Sequence, residues 1–281
     1  MITLTELMEH AARLSPIPQS MGKLAALVAD DRSTIDQIIR VIEYDQVLTA
    51  NVLRYANSAA SASQRHIDNV KDAVIRIGAG RILAEVVSGH VRDDMRQPID
   101  GYGYAKNELW RHSVAAAVVA EQLGTFTGKQ ISGISFTAAL LHDLGKLVLG
   151  HVIGDEEAHS IFKSIRQHRD QSFEIAEQHL IGYSHAQIGA MICESWNLPE
   201  QIVKAIRLHH STDTGDDPVV DSVKLSNMVA RVIGEGIGFE GMAFIIDTDV
   251  ARRFGLSKDS FETLCARVKY RFNEVIETFE Q

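Results

Sequence analysis

Proline occurs at only five positions of this chain, 16, 18, 98, 199 and 218, and each falls where a helix would begin or a connection would run. A helix interior excludes proline, which lacks an N–H and clashes with the preceding turn, so the long proline-free stretches are open to continuous helix. Their apolar residues recur at the helical period. Ile35, Ile38, Ile39 and Ile42 mark one face after Ser33, which is placed to accept from the early amides. Phe261, Leu264, Val268, Phe272, Val275 and Phe279 mark another after Ser257. No strand-dominated segment, internal repeat or low-complexity tract interrupts this pattern, and the expected fold class is all-α.

Two stretches break the periodicity. Residues 93–107 contain Pro98, Gly101 and Gly103, and residues 211–218 are acidic. The first break divides the chain into an N-terminal helical bundle over residues 1–95 and a second helical domain over 96–230. The remaining residues, 231–281, are expected to form a helical extension packed on the second domain. A chain of 281 residues with 45% hydrophobic content suffices to bury a proper core.

Composition narrows the function classes. A formal charge of −9 argues against a surface that coats nucleic acid, because phosphate binding needs a basic face. No run approaches the roughly 18 apolar residues of a membrane span, and the start Met-Ile-Thr-Leu-Thr-Glu-Leu lacks the basic residues of a signal peptide. Cys193 and Cys265 lie in separate helical patterns with no Cys-x-x-Cys spacing, as small hydrophobes in a reducing compartment do. The expected location is the cytoplasm, without a membrane or nucleic-acid partner.

Chemistry concentrates around His142 and Asp143, adjacent residues in an apolar helix-like run that stops at Gly145. Neutral imidazole and carboxylate are what a borderline divalent cation such as iron, manganese or zinc takes as ligands. Glu108 and His112 are four apart and share a helix face. His185 follows Gly-Tyr-Ser, and His209 and His210 end the pattern that starts at Leu198. Each has a plainer reading: a buried histidine satisfied by a carboxylate, or a surface i,i+4 pair for Glu108 and His112. His209 continues the apolar face of Ile202, Ala205 and Ile206, whereas His210 sits about 100° further round, so that one of the two is left as an ordinary core histidine on this reading. His10, His66, His90, His151, His159, His168 and His179 have no such company and read as solvated or structural. Gly236, Gly238 and Gly241 match a dinucleotide fingerprint by letter, but they follow a helical pattern and read as a flexible loop. Asn57-Ser58 reads as a helix C-cap or turn.

These residues resemble the HD superfamily of metal-dependent phosphohydrolases, with His112, His142 and Asp143 at the positions of its ligands. His-Asp-x-Gly-Lys, which includes Lys146, is similar to the branch that hydrolyses cyclic dinucleotides at a multinuclear iron or manganese site. The resemblance implies Glu108, His185, His209 and His210 as further ligands. Its late aspartate is replaced here by Asn227, whose amide oxygen can still coordinate as a weak metal ligand but brings no charge, and the glutamate and Gly-Tyr-Pro loop that should follow His210 are replaced by Ser-Thr-Asp-Thr-Gly-Asp-Asp-Pro. Four blocks earlier in the chain, Leu14-Ser-Pro-Ile-Pro18, Asp45-Gln-Val-Leu-Thr-Ala50, Leu53-Arg-Tyr-Ala-Asn-Ser-Ala59 and Asp72-Ala-Val-Ile-Arg-Ile-Gly78, resemble the HDOD (HD-related output domain) family of bacterial signalling proteins over about residues 10–230.

The resemblance implies an all-helical regulatory module with a protein partner in a signalling pathway, holding one or two divalent metals and lacking strong catalysis. The alternative is a phosphohydrolase acting on a nucleotide or other phosphoester. In that case Asp143 would be shared by two metals that activate water for attack at phosphorus, and Lys146, just past the helix end, would neutralise the substrate phosphate.

Overall fold

A computed structural model describes residues 3–14, 17–58, 66–154, 173–211, 216–239 and 247–280. Ser15, Pro16, Ala59, His159, His168, Gly241, residues 212–215 and the side chain of Phe279 lie outside this description. Among the described residues the chain is all-α, with no strand and one isolated antiparallel bridge between Ile99 and Tyr104.

The first helices are α1 (Leu4–Ala11), α2 (Gln19–Ala29), α3 (Ile35–Glu43), α4 (Gln46–Ala56), α5 (Val70–Ile77) and α6 (Ala79–Met95). Most are closed by their own side chains. Thr3 accepts from the Glu6 amide, Asp45 from Val47 and Leu48, and Asn69 from Asp72. In α3 the cap is Thr34 rather than Ser33: Thr34 Oγ1 accepts from the Gln37 amide at 3.3 Å while Gln37 Oε1 accepts from the Thr34 amide at 2.8 Å. Gln37 lies three residues beyond Thr34, which completes a reciprocal capping box. Ile38, Ile39 and Ile42 are buried, whereas Ile35 in the first turn is 46% exposed. Asn57 is the C-cap of α4, as its position suggested, and it also staples the chain beyond. Its Nδ2 donates to Leu53 O and Ile67 O, and its Oδ1 accepts from the Ile67 amide.

Residues 96–107 form a closed loop. Asn107 N donates to Arg96 O and Arg96 Nε donates to Asn107 Oδ1, while a turn at Asp100–Tyr102 aims Tyr102 and Tyr104 into the protein. Next come α7 (Glu108–Thr127), α8 (Ser135–Leu141), α9 (Gly145–Val152), α10 (Phe173–Ile181), α11 (His185–Ser195), α12 (Glu200–Leu208) and α13 (Pro218–Val232). Two more helices, α14 (Thr248–Arg253) and α15 (Lys258–Glu280), complete the order. Helix α7 is the axis of this part: α8, α13 and α15 pack against it, α11 packs on α9 and α12, and α6 reaches across to α8. On α15, Leu264, Val268, Phe272 and Val275 are buried. One continuous core runs from Leu7 to Ile276 and includes both cysteines, which are unbridged.

The helix containing His142 does not stop at Gly145. Helix α8 ends at Leu141, residues 142–144 turn, and Gly145 opens α9. Glycine is required here by close approach: a Cβ would lie 2.0 Å from His185 O and 2.7 Å from Gly189 N. Backbone contact between α9 and α11 therefore presses the His142–Asp143 turn against His185.

Candidate metal centre

Four elements end at one buried point. His112 comes from the second turn of α7, His142 and Asp143 from the α8–α9 turn, His185 from the first position of α11, and His209 and His210 from the end of α12. Their ligand atoms form two groups that share Asp143. His112, His142 and Asp143 make one, and Asp143, His185, His209 and His210 make the other, each with its atoms within 4.8 Å of one another. Both histidines after α12 reach the centre, because the backbone turns there and the 100° separation of a continuing helix no longer applies.

The rings are held from behind. His112 Nδ1 lies 2.9 Å from Glu235 O, His142 Nδ1 2.7 Å from Ala139 O, and His209 Nδ1 2.6 Å from Ile206 O. His185 Nδ1 lies 2.7 Å from the Glu177 carboxylate. Carbonyl and carboxylate oxygens only accept, so each of these Nδ1 atoms carries a proton, and in the neutral tautomer this leaves Nε2 as a bare lone pair. Burial favours the neutral form, pushing His112 and His209 down to about 3 and His210 well below the ordinary histidine value. Burial also opposes charge on His185, but Glu177 outweighs it and raises that ring.

These lone pairs converge. His112 Nε2 lies 3.3 Å from His142 Nε2, and His185 Nε2 lies 3.3 Å from His209 Nε2 and 3.1 Å from His210 Nε2. Asp143 Oδ2 is 3.2 Å from His142 Nε2, and Oδ1 is 3.4 Å from His185 Nε2. Acceptors facing acceptors repel unless a proton or a metal cation lies between them. Asp143 Oδ1 and Asn227 Oδ1 are, moreover, buried oxygens without a hydrogen bond among the described residues. A divalent cation fits this donor set, and imidazole with carboxylate suits iron, manganese or zinc. Although burial opposes ionisation, His142 and Lys146 hold the Asp143 carboxyl well below its usual range.

Lys146 is not past a helix end but in the first turn of α9, fully buried. Its Nζ donates to Asp143 Oδ2 at 2.7 Å and to Tyr104 Oη at 3.3 Å, beneath the rings of Tyr102 and Tyr104. Glu108 stands apart from both ligand groups. Its Oε2 accepts from the Ala105 amide at 2.8 Å, closing the turn before α7. Asn227 is buried on α13, the helix packed along α7 and α8.

Two contributors escaped the sequence reading. Glu177, on α10, is fully buried beside His185; its signal was an acid on the apolar face formed by Phe173, Ala176 and Ile181. The glycine-rich loop is the other. Gly236, with φ +55°, lies so close to α7 that a Cβ would be 2.4 Å from Glu108 O and 2.7 Å from the His112 Cβ. Within the loop read as flexible, Glu235 and Gly236 form a buttress that carries the Glu235 carbonyl to His112.

The HDOD domain matches residues 14–212. The chain belongs to the HDOD family. An uncharacterised protein of Treponema pallidum (strain Nichols) is 26% identical over 236 residues, 79% of this chain. The chain spans only 44% of that relative's length. An HDOD domain protein of unknown function from Geobacter sulfurreducens superposes with a TM-score of 0.65 at 25% identity, covering 98% of this chain and 95% of its own. A Marinobacter aquaeolei VT8 protein shares the fold with a TM-score of 0.70 at 20% identity, covering 99% of this HDOD chain and 65% of its own. No helix among the described residues is long and apolar enough to cross a membrane.

Proposed function

We propose that this HDOD chain is a metal-binding regulatory module of bacterial signal transduction, acting in the cytoplasm through contact with a protein partner, and without strong phosphohydrolase activity. The observation that carries the metal part is the inward set of Nε2 lone pairs, each ring but His210 anchored through Nδ1 on an oxygen acceptor, around a buried Asp143. Such anchoring fixes tautomer and ring orientation for a cation. The Marinobacter fold relative is described as a candidate signal transduction protein, in line with the regulatory part.

Three features favour regulation over turnover. Asn227 stands where the family resemblance places an anionic ligand, so one charge is missing. Lys146 Nζ is fully buried and paired with Asp143, which ties up the cation that would otherwise meet a substrate phosphate. The Gly-Tyr-Pro loop is absent from the sequence after His210. The competing reading, a metal-dependent phosphohydrolase acting on a nucleotide or other phosphoester, draws on the rest of the ligand set and on a Shewanella amazonensis SB2B fold relative described as a candidate phosphohydrolase. When bound, a divalent metal would supply charge neutralisation and activation of water; the chain's own residues hold the ligands, with Glu235, Ala139 and Ile206 carbonyls orienting three rings.

The test is turnover of cyclic dinucleotides and generic phosphoesters by protein loaded with iron, manganese or zinc. Rates near background are expected. A robust rate abolished in folded His142→Ala and Asp143→Ala variants would establish the phosphohydrolase instead, and absence of metal after reconstitution would remove the metal-binding reading.

A further inference from the structure

Glu177 forms a closed hydrogen-bonded unit with His185 that distinguishes this ligand from the others. Its Oε2 accepts from the His185 backbone amide at 2.8 Å and lies 2.7 Å from Nδ1, while its Oε1 accepts from Tyr102 Oη at 2.6 Å. Glu177, His185 and Tyr102 are all fully buried. The other anchored rings lean on neutral carbonyls; only His185 leans on a carboxylate. An anionic acceptor behind an imidazole draws the Nδ1 proton toward itself and makes Nε2 the stronger donor to a cation.

The same unit bridges distant segments. Tyr102 belongs to the closed loop before α7 and Glu177 to α10, so the ring of His185 is fixed by two elements outside its own helix. Nearby Glu174, also on α10, accepts from Ser184 Oγ at 3.3 Å and interacts with His185 through its charge rather than through a hydrogen bond to the ring, which makes it a control that separates charge from positioning.

We propose that Glu177 is a positioning residue, braced by Tyr102, that makes the group of Asp143, His185, His209 and His210 the tighter of two metal positions and the first to fill. This inference rests on the metal-binding reading. It adds which half of the centre dominates and which residue outside the ligand set makes it so.

The experiment is chelator-competed titration of metal-free full-length protein with cobalt(II), followed by its visible absorption, on wild type, Glu177→Gln, Tyr102→Phe and Glu174→Gln. Wild type is expected to fill in two steps. Glu177→Gln should weaken the first step by about 10–100-fold and shift its absorption band, leaving the second step unchanged. Tyr102→Phe, which keeps the carboxylate, should do the same to a smaller extent, and Glu174→Gln, which removes a charge but no hydrogen bond to the ring, should change the first step by far less than Glu177→Gln. In a His142→Ala background, which disables the other position, the surviving step should remain sensitive to Glu177→Gln. Equal affinity and an unchanged band in Glu177→Gln would overturn the proposal while leaving the metal site standing. An equal fall in both steps, or a fall matched by Glu174→Gln, would also overturn it, as would a folded Tyr102→Phe without effect if Glu177→Gln fails to fold. A wild type that takes up no cobalt would overturn the metal-binding reading itself.

Discussion

The helices before residue 96 and those around the candidate metal centre send their polar end groups in different directions. In the first region Thr3, Thr34, Asp45 and Asn69 satisfy the early amides locally, and the polar groups stay near the surface. In the second, α11 and α13 are capped the same way by Ser184 and Asp217, but the residues just past the ends of α8 and α12 are His142 and His209, turned inward. The second buries a carboxylate and a cluster of imidazole lone pairs, which costs free energy until a cation offsets it.

Asp143→Ala should break this contrast most severely. It removes the carboxylate common to both ligand groups and strands the buried Lys146 ammonium, a loss of about 3–5 kcal/mol. Denaturant melts should show that loss, and metal analysis should find neither position filled. A variant that keeps its metal would mean Asp143 is not the bridge.

Gly145→Ala comes next. The added methyl meets the His185 carbonyl, so α9 and α11 must separate, at about 1–3 kcal/mol for overpacking. Metal affinity should fall with stability, because the contact that parts is the one setting His185 against Asp143. Unchanged thermal unfolding and unchanged chelator competition would show that the helices give way without consequence.

Asn227→Asp sharpens the comparison from the other side. A carboxylate in place of the unpartnered amide oxygen should tighten metal binding in a chelator titration and lower the stability of the metal-free protein, since a further anion is then buried without a partner. Identical affinity would mean that residue 227 does not reach the cation.

Thr34→Ala is the mildest change: about 1 kcal/mol of stability from the lost cap, with metal binding untouched. A change in metal affinity would show that the two regions are energetically coupled through their shared core.

Much of this was legible in the sequence, because it depends on local spacing. The all-α class follows from apolar period and proline placement, and the inward face of Ile38, Ile39 and Ile42 from their i, i+3 and i+4 separation. The ligand candidates His112, His142, Asp143, His185, His209 and His210 were recognisable as residue types with a family pattern, and they do converge. What the sequence could not decide was direction. Glu108 has the right spacing to His112, yet the turn at Ala105 claims its carboxylate. Lys146 looked free to meet a phosphate, but α9 begins one residue earlier and folds its ammonium onto Asp143. Gly145 and Gly236 read as a stop and as flexibility, whereas each is the point at which one backbone touches another. Spacing fixes which residues share a helix face, since that depends only on the 3.6-residue turn. Only packing of separate helices decides which buried acceptors face one another, and here it set six candidate ligands from four elements around a point that no single segment contains.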